Sequence, residues 1–215
     1  MCKAVIFDLD GTIIHSLPDI AFSVNAMLKE FNHPQKNDTL VMRAIGNGAR
    51  NLVKNLIDEP LSDEEIDIRL KFYNEHYTKS NSPRTSLFDG VNEVITELKK
   101  RRFKVAVLTN KPQMTTDDVN KTYLSHLNFD MVIGQQKGLK MKPDPQVLLS
   151  MLEKMQVKKE NAYMVGDGET DIMTAINANI TGISALWGYR TKTQLQDAGA
   201  YLFAQSIYDI LDIIK

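Results

Sequence analysis

Two kinds of apolar pattern alternate along this chain. Short unbroken runs lie at about 4–7, 104–108, 131–133, 162–165 and 181–186, rich in β-branched residues and closed by polar turns. Such runs predict buried strands. Between them the apolar positions recur every three or four residues: Val91, Val94, Ile95 and Leu98 behind Gly90, then Val147, Leu148, Met151, Leu152 and Met155 over about 145–155, then Ile172, Ala175 and Ile176. That spacing sets an apolar stripe on each of three helices. Strands alternating with helices predict an α/β fold, a parallel sheet flanked by helices on both faces, with the methionines serving as packing.

From about residue 16 to 82 the strand pattern stops. Helical segments are predicted at about 18–31, 37–45, 48–57 and 63–79. Ser62 with Glu65 three residues later has the form of a capping box, and Ile66, Leu70, Tyr73 and Tyr77 follow on one face. The segment ends near Asn81-Ser82-Pro83, a turn-prone stretch. The expected organisation is therefore a core built from residues 1–15 and 83–215, with an all-helical insert over 16–82.

Composition narrows the partners. The 215 residues are 43% hydrophobic, enough for a substantial core, and the net charge is -1 with a pI near 6.4. No basic tract points to nucleic acid or to a membrane surface, so a small molecule is the expected partner. Cys2 is the only cysteine, which excludes an intrachain disulfide and a cysteine metal site. No run approaches the ~18 apolar residues of a membrane span and no leader pattern is visible. A cytoplasmic protein, monomer or homodimer, is the expectation.

The chemistry gathers where strands end. Asp8 and Asp10 flank Leu9 directly after Ala4-Val5-Ile6-Phe7, and Gly11 follows. Residues two apart on a strand can point the same way, and two converging carboxylates call for a cation or a shared proton. Thr109-Asn110 follows Val105-Ala106-Val107-Leu108; Lys142-Pro143-Asp144-Pro145 follows the run at 131–133; and Gly166-Asp167-Gly168-Glu169-Thr170-Asp171 follows Ala162-Tyr163-Met164-Val165. In an open α/β sheet such strand exits meet in one crevice.

This ordered set resembles the signature blocks of the haloacid dehalogenase superfamily of phosphohydrolases. The resemblance implies a Rossmann-like core with the insert as a cap, Asp8 as nucleophile forming an aspartyl phosphate, and Mg²⁺ held by the Asp8 carboxylate, the Asp10 backbone carbonyl and Asp167, supported by Asp171. Asp10 would be the general acid and base, a residue lacking in members that cleave carbon-halogen or carbon-phosphorus bonds. Thr109 and Asn110 would bind the phosphoryl group, and Lys142 would neutralise it; Lys137 and Lys140 are the rival cations. His15 departs from the pattern, which often carries an acid there, while His33, His76 and His126 lack metal-ligand spacing.

Within the insert, Ile45-Gly46-Asn47-Gly48-Ala49-Arg50 places free amides and an arginine at a helix start, a setting that suits an anion. The block resembles the substrate-facing segment of phosphoglycolate phosphatases, as does Gly188-Tyr189-Arg190 before Ala198-Gly199-Ala200. Gly46, Asn47, Gly48 and Arg50 are thus expected to hold the far end of a substrate. The function these features imply is an Mg²⁺-dependent phosphomonoester hydrolase acting on a small anionic metabolite, with 2-phosphoglycolate the single best choice. The alternatives are a pyrophosphatase or nucleotidase, a phosphomutase of sugar phosphates, and a non-catalytic binding module. The intact Asp8, Asp10, Lys142 and Asp167 argue against the last.

Overall fold

A computed structural model describes residues 2–80 and 83–214. The turn expected at Asn81 and Ser82 lies outside the described residues. In chain order the first elements are β1 (Ala4–Phe7), β2 (Ile14–His15), α1 (Leu17–Glu30), α2 (Asp38–Ala44), α3 (Gly48–Asn55) and α4 (Asp63–Lys79). Then come β3 (Ser86–Leu87), α5 (Val91–Lys100), β4 (Lys104–Pro112), α6 (Gln113–Val119), β5 (Met131–Gln135) and α7 (Gln146–Lys154). The chain ends with β6 (Ala162–Gly166), α8 (Glu169–Ala178), β7 (Thr181–Ala185), α9 (Lys192–Asp197), β8 (Phe203–Ala204) and α10 (Ile210–Ile213).

Six strands form a parallel sheet in the order β5-β4-β1-β6-β7-β8. From β1 the path runs outward through β4 and β5, then crosses back to β6 and continues the other way. The reversal leaves a crevice beyond the carboxyl end of β1, where ligands of open α/β sheets bind.

Strand alternation divides the apolar side chains between two layers. Val5, Phe7, Val105, Val107 and Val165 pack on one face with Val94, Ile95 and Leu98 of α5 and Ile210 of α10. Ala4, Ile6, Ala106, Leu108 and Met164 pack on the other with Leu148, Met151 and Leu152 of α7 and Ala175 of α8. Asp8 continues the Ala4 and Ile6 face toward α7 and α8, while Lys111 continues the series Val105, Val107, Thr109. One expected stripe position differs: Ile176 is 53% exposed, because the inward face of α8 runs through Asp171, Ile172, Thr174, Ala175 and Ala178.

Helices α1 to α4 enclose a separate apolar cluster that includes Val24, Met27, Leu28, Val41, Leu52, Val53, Tyr73 and Tyr77. The Ser62 capping box forms as expected: the Ser62 N–H donates to Glu65 Oε2 at 2.8 Å, and the Glu65 N–H donates to Ser62 Oγ at 3.3 Å. Both passages into and out of this lobe are tied down. β2 pairs antiparallel with β3, and the buried Asp19 of α1 accepts from the Arg84 N–H at 3.0 Å and Thr85 Oγ1 at 2.7 Å. Neither this two-stranded ribbon nor β8 stands out in the apolar pattern, since a two-residue strand is too short to carry a period.

Candidate active site

The turn after β1 is tight. Leu9 O accepts from the backbone N–H groups of Thr12, Ile13 and Ile14, and Gly11 sits at φ +91°, a region that L side chains rarely adopt. A Cβ at Gly11 or at Gly188 would also strike the Asp167 side chain, so the two glycines make room for that acid.

Asp8, Asp167 and Asp171 come together there. All three are buried, and each offers a carboxylate oxygen within 4.8 Å of the other two. Asp167 is oriented by Thr12 Oγ1, which donates to Oδ1 at 2.8 Å, and by the Tyr189 N–H, which donates to Oδ2 at 2.7 Å. Lys142 Nζ joins Asp8 Oδ1 at 2.7 Å to Asp171 Oδ1 at 2.6 Å, and Asp171 Oδ2 also accepts from the Gly168 N–H at 2.9 Å. Asp171 thus anchors the lysine and the start of α8.

Three buried acids with one lysine leave negative charge in excess. Burial, then Asp171, with Asp167 adding to them, pushes the Asp8 carboxyl up to about 8 against the opposing pull of Lys142. Burial and Asp171 likewise push Asp167 up to about 7. Full ionisation at neutral pH therefore asks for another positive charge. An all-oxygen set of this kind fits a hard divalent cation such as Mg²⁺.

Asp10 does not turn its carboxylate into that cluster. Ser16 Oγ donates to Asp10 Oδ1 at 2.5 Å, and Lys111 Nζ lies 3.1 Å from Oδ1 and 3.3 Å from Oδ2. The side chain instead lines the crevice beside Asp8. Thr109 is buried on the crevice wall, and its Oγ1 accepts from the Lys111 N–H at 3.2 Å, so its hydroxyl hydrogen remains available to an incoming oxygen.

Other expected residues lie elsewhere or do other work. Asn110 Nδ2 donates to Gly46 O and Lys142 O, both at 3.0 Å, and Oδ1 accepts from the Lys142 N–H at 2.9 Å. Its amide clamps Lys142 and the glycine turn, while the residue lines the crevice. Gly46 and Gly48 line the crevice. Asn47 does not, and its carbonyl accepts from Asn51 Nδ2. Arg50 is not brought to the crevice: its guanidinium is exposed and pairs with Asp63 at 2.7 Å and with Asp67 of α4. Two acids four residues apart on one face of α4 capture it there. His15 packs near the Phe88 and Tyr189 rings, with centroids 5.7 and 6.2 Å away. Lys140 pairs with Asp144 and is largely exposed.

Sequence reasoning missed Lys111. Its ammonium is buried between Asp10 and Tyr77, whose Oη is 3.2 Å away. Burial opposes its charge, but Asp10 and the phenols of Tyr77 and Tyr73 more than compensate and hold it above the ordinary lysine value. The available signal was its place two residues beyond Thr109, on the strand face that Val105 and Val107 bury. Arg190 was noted only by resemblance. It donates to Met42 O at 3.1 Å, Arg43 O at 3.2 Å and Ile45 O at 2.6 Å, and pairs with Glu169. These are the carbonyls left open at the end of α2. Tyr189 Oη accepts from the Ser16 and Leu17 N–H groups at 3.0 and 3.1 Å. One loop thus ties the metal-side acid Asp167 to the helical lobe.

The fold agrees with the comparisons to known proteins. The profile of the haloacid dehalogenase-like hydrolases matches residues 5–185, and the chain belongs to this family. It is 32% identical over 220 residues to phosphoglycolate phosphatase of Mannheimia succiniciproducens, covering 99% of this chain and 98% of that one. Phosphoglycolate phosphatase of Haemophilus influenzae strain Rd is 30% identical with the same coverage. Among solved structures, a predicted phosphoglycolate phosphatase from Haemophilus somnus superposes with a TM-score of 0.91 at 29% identity, over 100% of this chain and 98% of that one. The protein is a phosphatase of this family. Among the described residues no helix is long and apolar enough to cross a membrane.

Proposed function

We propose that the protein is an Mg²⁺-dependent phosphomonoester hydrolase that works through an aspartyl phosphate on Asp8, with 2-phosphoglycolate as substrate. The observation that carries this reading is the buried Asp8 at the exit of β1, paired with Lys142 and grouped with Asp167 and Asp171, with the Asp10 carboxylate standing beside it in the same crevice.

A carboxylate oxygen of Asp8 attacks phosphorus as the bond to the ester oxygen breaks, and Asp10 gives its proton to the departing alkoxide. Water then attacks the acyl phosphate, Asp10 takes the proton from that water, and the bond from phosphorus to Asp8 breaks to release phosphate. Lys142 and the Thr109 hydroxyl face charge on the phosphoryl oxygens, the main demand of a loose transition state. Asp8, Asp167 and the Asp10 carbonyl would hold Mg²⁺, which when bound offsets the repulsion between the Asp8 carboxylate and the phosphate dianion. Asp171 fixes Lys142.

The helical segment 16–82 serves as the cap. It supplies Ile20, Ile45, Leu52, Tyr73 and Tyr77 to the crevice. The choice of a short metabolite follows the two relatives named above, which are phosphoglycolate phosphatases. The test is phosphate release from a panel of phosphorylated metabolites with Mg²⁺. Turnover of 2-phosphoglycolate above the other esters is the expected result. An isomerised sugar phosphate with little free phosphate would replace the hydrolase reading with a mutase.

A further inference from the structure

One cation in the crevice has no task in the steps above. Among the described residues lining it, Lys111 carries the only positive charge. Its side chain is 5% exposed, and its Nζ lies 3.1 and 3.3 Å from the Asp10 oxygens, 3.2 Å from Tyr77 Oη and 4.5 Å from the centre of the Tyr77 ring. These contacts are longer than the ~2.7–2.9 Å of a strong charge-assisted bond. Lys142, by contrast, holds its two carboxylates at 2.6 and 2.7 Å. Lys142 is locked in place, whereas Lys111 is loosely held and can exchange partners.

The crevice that Lys111 lines mixes apolar groups, Ile20, Ile45, Leu52 and the ring of Tyr73, with the polar Asn74, Thr109 and Thr115, and the ammonium itself is buried. An anion arriving there meets an ammonium that little water screens. Position constrains the ligand further. Asp10 serves the ester oxygen and Lys111 contacts Asp10, so a charged group one carbon beyond that oxygen comes to lie beside Lys111.

We propose that Lys111 determines specificity by receiving a second, non-reacting carboxylate of a short phosphomonoester whose phosphoryl group lies on Asp8. This rests on the phosphatase reading and names the group that selects its substrate. Tyr77, from the helical lobe, and Asp10, from the core, hold the ammonium until that carboxylate replaces part of their contact.

The test compares 2-phosphoglycolate with its carboxamide, which has the same size and the same leaving oxygen. The parent protein should favour the carboxylate. Lys111→Met keeps the stem length and disturbs Asp10 for both esters, so the readout is the ratio of their kcat/KM values. That ratio should fall roughly 10- to 150-fold, the worth of one charge-assisted hydrogen bond, with most of the selective loss in KM. Lys111→Arg should restore part of the ratio. The Ki of 3-phosphonopropionate, which needs no turnover, should rise in Lys111→Met by a larger factor than that of its carboxamide.

Equal losses on both esters, with equal changes in both Ki values, would overturn the proposal and leave Lys111 as a positioning residue for Asp10. Should Lys111→Met fail to fold, a parent that turns over both esters equally overturns it without any variant. A parent that hydrolyses other phosphomonoesters but neither of this pair overturns it while leaving the phosphatase reading intact. Release of phosphate from no ester at all would overturn both.

Discussion

The floor and the roof of the crevice are made from different materials. The floor, at the carboxyl ends of β1, β4 and β6, concentrates charge: Asp8, Asp10, Lys111, Lys142, Asp167 and Asp171 all sit there, mostly buried and bonded to one another. The roof, from α1, α3 and α4, offers Ile20, Leu52, the Tyr73 and Tyr77 rings and the glycine turn at Gly46 and Gly48. Lys142 ties Asp8 to Asp171 by short contacts before any ligand arrives, whereas Lys111 meets Asp10 at longer range. Apolar roof groups exclude water and set the size of what fits. On the proposed reading the floor carries the reaction and the roof covers it, with Lys111 and Tyr77 in contact where the two meet.

The largest expected effect is at the floor. Asp8→Asn should fold, since an amide can still accept from Lys142, yet release no phosphate above background, because an amide oxygen is a far poorer nucleophile. Chelation of divalent cations should have the same effect on the parent, and Mg²⁺ should raise its melting temperature. Normal turnover of folded Asp8→Asn would end the covalent mechanism, and full activity in chelator would end the metal assignment.

Next is Asp10→Asn, with an expected loss of roughly 10²- to 10⁴-fold on alkyl phosphates and a smaller loss on aryl phosphates, whose leaving groups need no proton. Equal losses on both classes would assign Asp10 a positioning task through Ser16 and Lys111 instead of proton transfer.

The same division explains what could be read in the sequence. Strand exits carry chemistry at fixed places, so Asp8, Thr109, Lys142, Asp167 and Asp171 were all singled out from the apolar runs before them. The structure places Asp8 and Thr109 on the crevice and groups Lys142, Asp167 and Asp171 with Asp8. Helix spacing likewise predicted α1 to α4 within a few residues, because Val24, Val53 and Tyr73 must face one cluster. What a helix period does not give is which way a polar residue on the uncommitted face turns. Arg50 follows the glycine turn by two positions, yet Asp63 and Asp67 of a different helix capture it, a pairing that depends on how α3 packs on α4. Lys111 was hidden for the opposite reason. A lysine between polar residues suggests solvent, and only the continuation of β4 to Pro112 buries it. Asp19, Arg84 and Thr85 meet across the two passages into the lobe, a long-range contact with no local pattern.

That joint gives a prediction about stability. Asp19→Ala removes a buried acceptor and leaves the Arg84 N–H and the buried Thr85 hydroxyl unpaired, a cost of about 1.5–3 kcal/mol in unfolding free energy. Denaturant unfolding measures it. KM should rise more than kcat falls if the lobe is then held less firmly over the floor. An unchanged midpoint would show that β2 with β3 and the Tyr189 contacts hold the joint unaided.

The smallest effect is expected on the outer side of the roof. Arg50→Ala removes exposed ion pairs to Asp63 and Asp67, and pairs of that kind contribute little because water and salt screen them. Since the guanidinium does not line the crevice, kcat/KM should stay near the parent value for 2-phosphoglycolate and for its carboxamide alike, in low and in physiological salt. The contrast with Lys111→Met is the sharpest check on the division between floor and roof, because both variants delete one positive charge near the start of α3 or the end of β4. If the ratio of the two esters falls with Arg50→Ala and not with Lys111→Met, the selecting charge belongs to the roof. The lobe would then have to rearrange on binding far enough to release Arg50 from both acids of α4.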